Sequence, residues 1–279
     1  MSSILTNNSA MSALATLRSI NNSLTDSQSR ISTGLKIQSG KDNAAYFSIS
    51  ETMNSDSSIY KAIDESLTLS QNSVSTARLG AENVADLATQ FVERIAFAQG
   101  SAGDLSARTD IQAELDALAE RIQTTIDQST FNGESLVTGA ATVTVVTGIS
   151  RASGSLTTTT ITFTQQDLQT IQSTLAGIDL TTSSTTALLE ADLKAAEGQM
   201  KAAIASATSL GIAEKSIETQ KEFLSALTDR LDTGVGSMVD ANMEEEAARL
   251  QALQVQQQLA TQSLSIANQA PQNILSLFR

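Results

Sequence analysis

Cysteine and histidine are both missing from the 279-residue chain, and so is tryptophan. Without Cys there are no disulfides and no thiolate metal ligands, and without His there is no imidazole ligand or base. Catalysis through either residue is excluded. One proline and 14 glycines leave few helix breakers, so long helices are expected. Two Tyr and seven Phe are the only aromatics. The core must therefore be thin and built from Leu, Ile, Val and Ala. Met1–Thr6, with no basic and no long apolar stretch, is not expected to act as a cleavable secretory signal.

Charge is also short on one side. There are 17 Lys and Arg against 30 Asp and Glu, a net charge of −13. Residues 1–50 are net +2 and residues 251–279 net +1, so the acidic surplus lies wholly between them. An acidic chain of this kind is not expected to bind nucleic acid. The uncharged stretch 250–278 is interrupted by eight glutamines from Gln251 to Gln272, so it is not expected to enter a membrane.

What is present is seven-residue periodicity. Across 44–99 one seam runs through Tyr46, Met53, Tyr60, Leu67, Val74, Ala81, Ala88 and Ile95. Its companion runs through Ile49, Asp56, Ile63, Ser70, Ala77, Val84, Phe91 and Ala98. This predicts one coiled-coil-like helix about 80 Å long, with a bend at Gly80. Residues 100–108 read as a loop. A second helix carries Ile111, Leu115, Leu118, Ile122 and Ile126, with a Thr109/Gln112 capping box and a left-handed end at Asn132-Gly133. Between about 135 and 164, Thr142–Val146 and Thr157–Phe163 read as short strands around Gly148 and Gly154. Leu189, Ala196, Ala203, Leu210, Ile217, Leu224 and Leu231 predict a third long helix over 186–232. A stutter is expected near Gly211 and a stop at Gly234-Val235-Gly236.

Both ends are amphipathic but sparse. Leu17, Leu24 and Ile31 recur every seven residues, with Leu14 and Leu35 beside them. Met243, Leu250, Leu264 and Phe278 form one C-terminal seam; Leu253, Ala260, Ala267 and Ile274 form the next, and Glu246, Gln257 and Pro271 interrupt. Burying a Leu contributes about 1.5–3 kcal/mol, and ordering each residue's backbone costs about 1–2 kcal/mol. Such helices need each other or a neighbour. The expected fold is mainly α: a long antiparallel coiled-coil-like bundle with paired terminal helices and a small β insert.

Motifs for chemistry are weak. Gly34–Asp42 imitates a phosphate loop, but five residues separate its glycines and Asp follows Lys41, so it reads as a polar turn. Glu244-Glu245-Glu246 splay around a helix and read as its solvated first turn, with no metal site. Asn7-Asn8-Ser9 and Asn21-Asn22-Ser23 match the glycosylation sequon by coincidence of composition. No catalytic residue, cofactor or metal ligand is assigned.

Several segments in order resemble bacterial flagellin. They are Asn22-Ser23-Leu24, Arg30–Ile37, Lys41–Ala45, Thr130-Phe131-Asn132-Gly133, Leu210-Gly211, Asp240–Glu246 and Ala267–Leu275. The likeness covers about 1–136 and 186–279. It implies an extracellular structural subunit that polymerises head-to-tail into the flagellar filament used in swimming. It also implies export in the unfolded state through the flagellar type III apparatus, assisted by a chaperone near the C-terminus, and assembly at the tip with itself or sister flagellins. Residues 1–43 and 236–279 would form the filament's inner core and 44–235 an outer helical layer, large outer domains being absent. The expected filament interface is Leu14, Leu17, Leu24, Ile31, Leu250, Leu253, Leu264, Ile274 and Phe278. Family members seen by the innate immune receptor carry an Arg-rich patch on the long helix. Phe91-Val92-Glu93-Arg94-Ile95-Ala96 departs from it, so recognition is not expected. Two alternatives are a hook–filament junction protein and a Ser–Lys enzyme on a helical scaffold.

Overall fold

The computed structural model describes residues 6–100, 103–151, 156–183 and 185–277, with side chains to 269. The elements in order are helices α1 (Asn8–Thr33), α2 (Ala44–Gln99) and α3 (Leu105–Gln128), then strands β1 (Thr130–Phe131), β2 (Glu134–Ser135), β3 (Thr142–Ser150) and β4 (Thr157–Thr164). Helices α4 (Leu168–Ala176), α5 (Thr186–Val239) and α6 (Met243–Leu277) follow. The fold is mainly α with a small β insert, as the periodicity requires. The chain divides into two units: one of residues 58–229, the other of the segments up to 57 and from 230.

In the 58–229 unit, α2 and α5 run antiparallel, as ion-pairing Arg78 with Glu214 and hydrogen-bonding Lys221 to Gln71 requires. The α2 seam from Ile63 to Ala98 is buried, apart from the half-buried Ser70. It meets Ile111, Leu115, Ile122 and Ile126 of α3 and the Leu189–Leu224 seam of α5. Leu168, Ile171 and Leu175 of α4, a helix the periodicity did not announce, close the same core. Asp167 caps α4, accepting from the Thr170 amide.

Local chemistry corrects several expectations. The 100–108 loop is shorter, because Asp104 accepts hydrogen bonds from the Ser106 and Ala107 amides and starts α3 at Leu105. Thr109 therefore lies inside the helix and caps nothing; its hydroxyl donates to the Leu105 carbonyl. Gln112 instead bridges to the backbone of Ile178 and Leu180. Asn132 and Gly133 do adopt left-handed φ of 52° and 82°. They do so as the two-residue turn of the β1–β2 hairpin, Phe131 pairing with Glu134, while α3 has already ended at Gln128.

Gly80 makes no break in α2. It is where the residue after α3 approaches: a Cβ there would collide with the Ser129 hydroxyl. Gly148 pairs with Thr159 inside the β3–β4 ladder, beside a bulge at the buried Thr147, so it turns nothing. Gly154 lies outside the described residues. The shift of the companion seam falls one turn before Gly211: Leu193 and Met200 lie four residues after Leu189 and Ala196, whereas the buried Ser206 and Ala213 lie three after Ala203 and Leu210. Nor does α5 stop at Gly234. It continues to Val239, since missing side chains at Gly234 make room for Met53, whose Cε would lie 2.9 Å from a Cβ.

Candidate functional site

The terminal unit is built around the pairing of α1 with α6. Asn7 caps α1, accepting from the Ala10 amide, and its amide group donates to the Ala267 carbonyl at 2.7 Å. Gln257 donates to Asn21 at 2.7 Å, and Ser27 donates to Glu246 at 2.6 Å. As residue numbers rise along α1 they fall along α6, so the pair is antiparallel. Its seam on α1 passes through Ala10, Ala13, Leu17, Ile20, Leu24, Ser27 and Ile31. Its seam on α6 passes through Glu246, Leu250, Leu253, Gln257, Ala260, Leu264 and Ala267. Both alternate steps of three and four, the signature of coiled-coil packing.

Glu246 is the exception to the solvated turn expected at Glu244–Glu246. Asn242 caps α6 through the amides of Glu244 and Glu245, and those two side chains are exposed. Glu246 is only 6% exposed. It accepts from the buried Ser27 hydroxyl, pairs with Arg30 at 3.1 Å, and lies 3.6 Å from Arg249. Hydrogen bonding from Ser27, then the neighbouring guanidinium groups, holds its carboxyl below the ordinary value of 4.5. The signal was in the sequence: Glu246 stands four residues before Leu250, on a seam position, and an acid there needs a partner.

The turn after α1 is held as firmly. Gly34 ends α1 in the left-handed conformation, its amide donating to the Arg30 carbonyl. Lys36 and Ile37 amides donate to the Val239 carbonyl, and the Ala241 amide donates to Gly34. Ile37, Val235 and Val239 form a small core with Leu35, Phe47, Met53 and Met238 around it. Asp42 accepts from the Gln38 and Ser39 amides and the Ser39 hydroxyl, which lowers its pKa. The phosphate-loop lookalike is thus a turn whose acid closes on its own backbone.

Of the expected interface residues, Leu17, Leu24, Ile31, Leu250, Leu253 and Leu264 are half-buried along the α1–α6 seam. Leu14 is 37% exposed and flanks it. The Ile274 side chain and Phe278 lie outside the described residues. Sequence reasoning missed a second apolar stripe: Val255, Leu259 and Ile266 are 54%, 62% and 64% exposed. At about 100° per residue they fall within roughly 40° of one another, on the side of α6 away from its seam. Met11 of α1 is exposed as well, at 64%. Among the described residues there is no cluster of potential metal ligands and no helix long and apolar enough to cross a membrane.

Known proteins agree with this architecture. Residues 4–142 match the profile of the bacterial flagellin N-terminal helical region, and residues 193–278 that of the C-terminal helical region. A flagellin of Brucella melitensis biotype 1 is 38% identical over 284 residues, covering 100% of both chains. Flagellin FljK of Caulobacter vibrioides is 36% identical, covering 100% of this chain and 99% of that one. A solved structure described as a flagellar hook-associated protein from Vibrio parahaemolyticus aligns with TM-score 0.51 and 16% identity, over 67% of this chain and 93% of that chain, and shares the fold. With both terminal helical regions matched and relatives aligned from end to end, the chain belongs to the bacterial flagellin family.

Proposed function

We propose that this flagellin is a structural subunit, not an enzyme, that polymerises head-to-tail into the extracellular flagellar filament through its paired terminal helices. The observation that carries the reading is that α6 is apolar on two sides. One side is spent on α1; the other, Val255, Leu259 and Ile266, is left in water. Exposed apolar area of this kind gains about 25 cal/mol per Å² when a neighbour covers it. Contact between unlike faces does not close on itself and so grows a helical polymer.

The finer assignment is ours as well. Residues 1–43 with 236–279 form the filament's inner core and 44–235 its outer layer. The interface comprises Leu14, Leu17, Leu24, Ile31, Leu250, Leu253, Leu264, Ile274 and Phe278, with the Val255–Ile266 stripe added. The seam residues hold α1 to α6, and the stripe meets the next copy. The chain passes unfolded through the export apparatus, escorted by a chaperone on its C-terminal helix, and joins sister or identical subunits at the tip. Missing Cys and a single Pro suit that route, because neither disulfide traps nor many slow isomerisations delay refolding. Seeding purified protein and imaging it by electron microscopy is the test. Filaments are expected from the wild type and none from chains lacking the first or last forty residues; filaments from both truncations would refute the reading.

A further inference from the structure

We propose that the turn between α1 and α2, with the first turns of α2, is a cationic, half-apolar dock for the acidic 58–229 region of a second copy. This rests on the subunit reading above and adds which surface of the neighbour is received.

Three observations converge. The first is an exposed apolar pair. The heptad positions of α2 are buried from Ile63 onward apart from Ser70, whereas its opening pair, Tyr46 and Ile49, are each 49% exposed. Ser50 is buried in these turns and Phe47 and Met53 pack on the small core, so the chain's own elements leave Tyr46 and Ile49 open. The second is a cleft of about 350 Å³ beside Tyr46, lined among others by Lys36, Ile37 and Met238. An aromatic, aliphatic and cationic lining in one hollow is the composition of an interface hot spot.

The third is charge. Lys36 and Lys41 are exposed and make no ion pair among the described residues. Asp42, the acid that lines the cleft, is committed to the Gln38 and Ser39 amides. Arg30, which also lines the cleft, is paired with Glu246. The two lysines therefore present unspent positive charge. Residues 58–229 carry 21 Asp and Glu against 10 Lys and Arg. In a homopolymer each copy brings one dock and one acidic region, so complementary unlike surfaces are supplied in equal number.

The full-length chain tests this. Lys36→Glu with Lys41→Glu, and separately Tyr46→Ala, should raise the critical concentration for seeded polymerisation, by about tenfold for the double variant. The gap from wild type should narrow as NaCl rises and screens exposed charge. Unchanged monomer circular dichroism confirms that folding is intact. A photocrosslinking residue, Tyr46→p-benzoylphenylalanine, should capture a peptide from 58–229 of another copy in filaments. If the wild type forms no filaments, the subunit reading itself falls. If it does, and the variants share its critical concentration and salt response, the dock alone falls. Crosslinks confined to a neighbour's terminal segments, or none at all, overturn it too.

Discussion

Replacing Glu246 with Ala tests the terminal pair where it is most exposed to error. The substitution removes the acceptor of the buried Ser27 hydroxyl and the anion beside Arg30. Stranding a buried hydroxyl costs about 1–3 kcal/mol, and a hydrogen bond to a charged group contributes about 1.5–3. The Arg30 side chain is 29% exposed and regains water, so its share is small. Roughly 2 kcal/mol of α1–α6 pairing should go. That corresponds to amide exchange about thirtyfold faster along both helices if they open as a unit. Core amides of 63–98 and 189–224 should keep their rates. Glu246→Gln retains an acceptor for Ser27 and should cost about half as much. The pH response follows from the same carboxyl. Its folded pKa lies below 4.5, so around pH 4 the unpaired state binds more protons. Pairing is fully supported above that value and weakens as pH falls through the folded pKa; Glu246→Gln should flatten this decline. Exchange unchanged in Glu246→Ala, or raised equally in both units, would refute the reasoning.

Ile266→Asp should stop polymerisation while leaving α1–α6 exchange near wild type, because Ile266 faces away from the seam; filaments at wild-type yield count against the outward stripe. Leu264→Asp, on the seam itself, should block assembly and also speed exchange in α1, with total monomer helicity little changed. Gly80→Ala should cost the 58–229 unit about 1–3 kcal/mol by thermal melting, since the new methyl meets Ser129, and adding Ser129→Gly should recover most of it. A double variant no better than the single would show that Gly80 matters for another reason. Gly133→Ala should cost about 1 kcal/mol through its φ of 82°, read as a lower melting temperature with native circular dichroism at 20 °C.

Helix existence was legible because the seven-residue repeats are long and seldom broken; the α2 bounds are those the pattern gives. What the pattern did not carry was the meaning of its exceptions. Gly80 and Gly234 look like breaks in a sequence, yet each is a small residue admitting a neighbour, and that depends on which element arrives. Asn132-Gly133 announces its backbone conformation but not its element, since a helix end and a hairpin turn want the same left-handed φ. The interface residues chosen from the sequence were the large apolar ones at seven-residue spacing. Spacing finds the face that pairs within the chain. The outward stripe, Val255, Leu259 and Ile266, follows steps of four and seven on the other side and is diluted by glutamines.

The polar exceptions in the terminal seams solve a problem that the apolar ones create. A pair built from Ala10, Ala13, Leu17, Ile20 and Leu24 against Leu250, Leu253, Ala260 and Leu264 repeats nearly identically every seven residues. One heptad of slip would cost it little in apolar contact. Slip would, however, place Glu246 opposite Ile20 or Gly34 in place of Ser27, leaving a carboxylate against hydrocarbon or beyond the helix end. It would also part Gln257 from Asn21 and Asn7 from the Ala267 carbonyl. Breaking one of these pairs is costly, but well-packed apolar groups in place of both partners would hold the helices about as well, because each polar group must first be desolvated. The polar pairs make one register cheaper than its neighbours, as a buried Asn does in a coiled coil. A filament needs that more than strength. On the proposed reading, its subunits must hold the outward stripe of α6 at one height relative to α1, or successive copies would not stack on a common lattice.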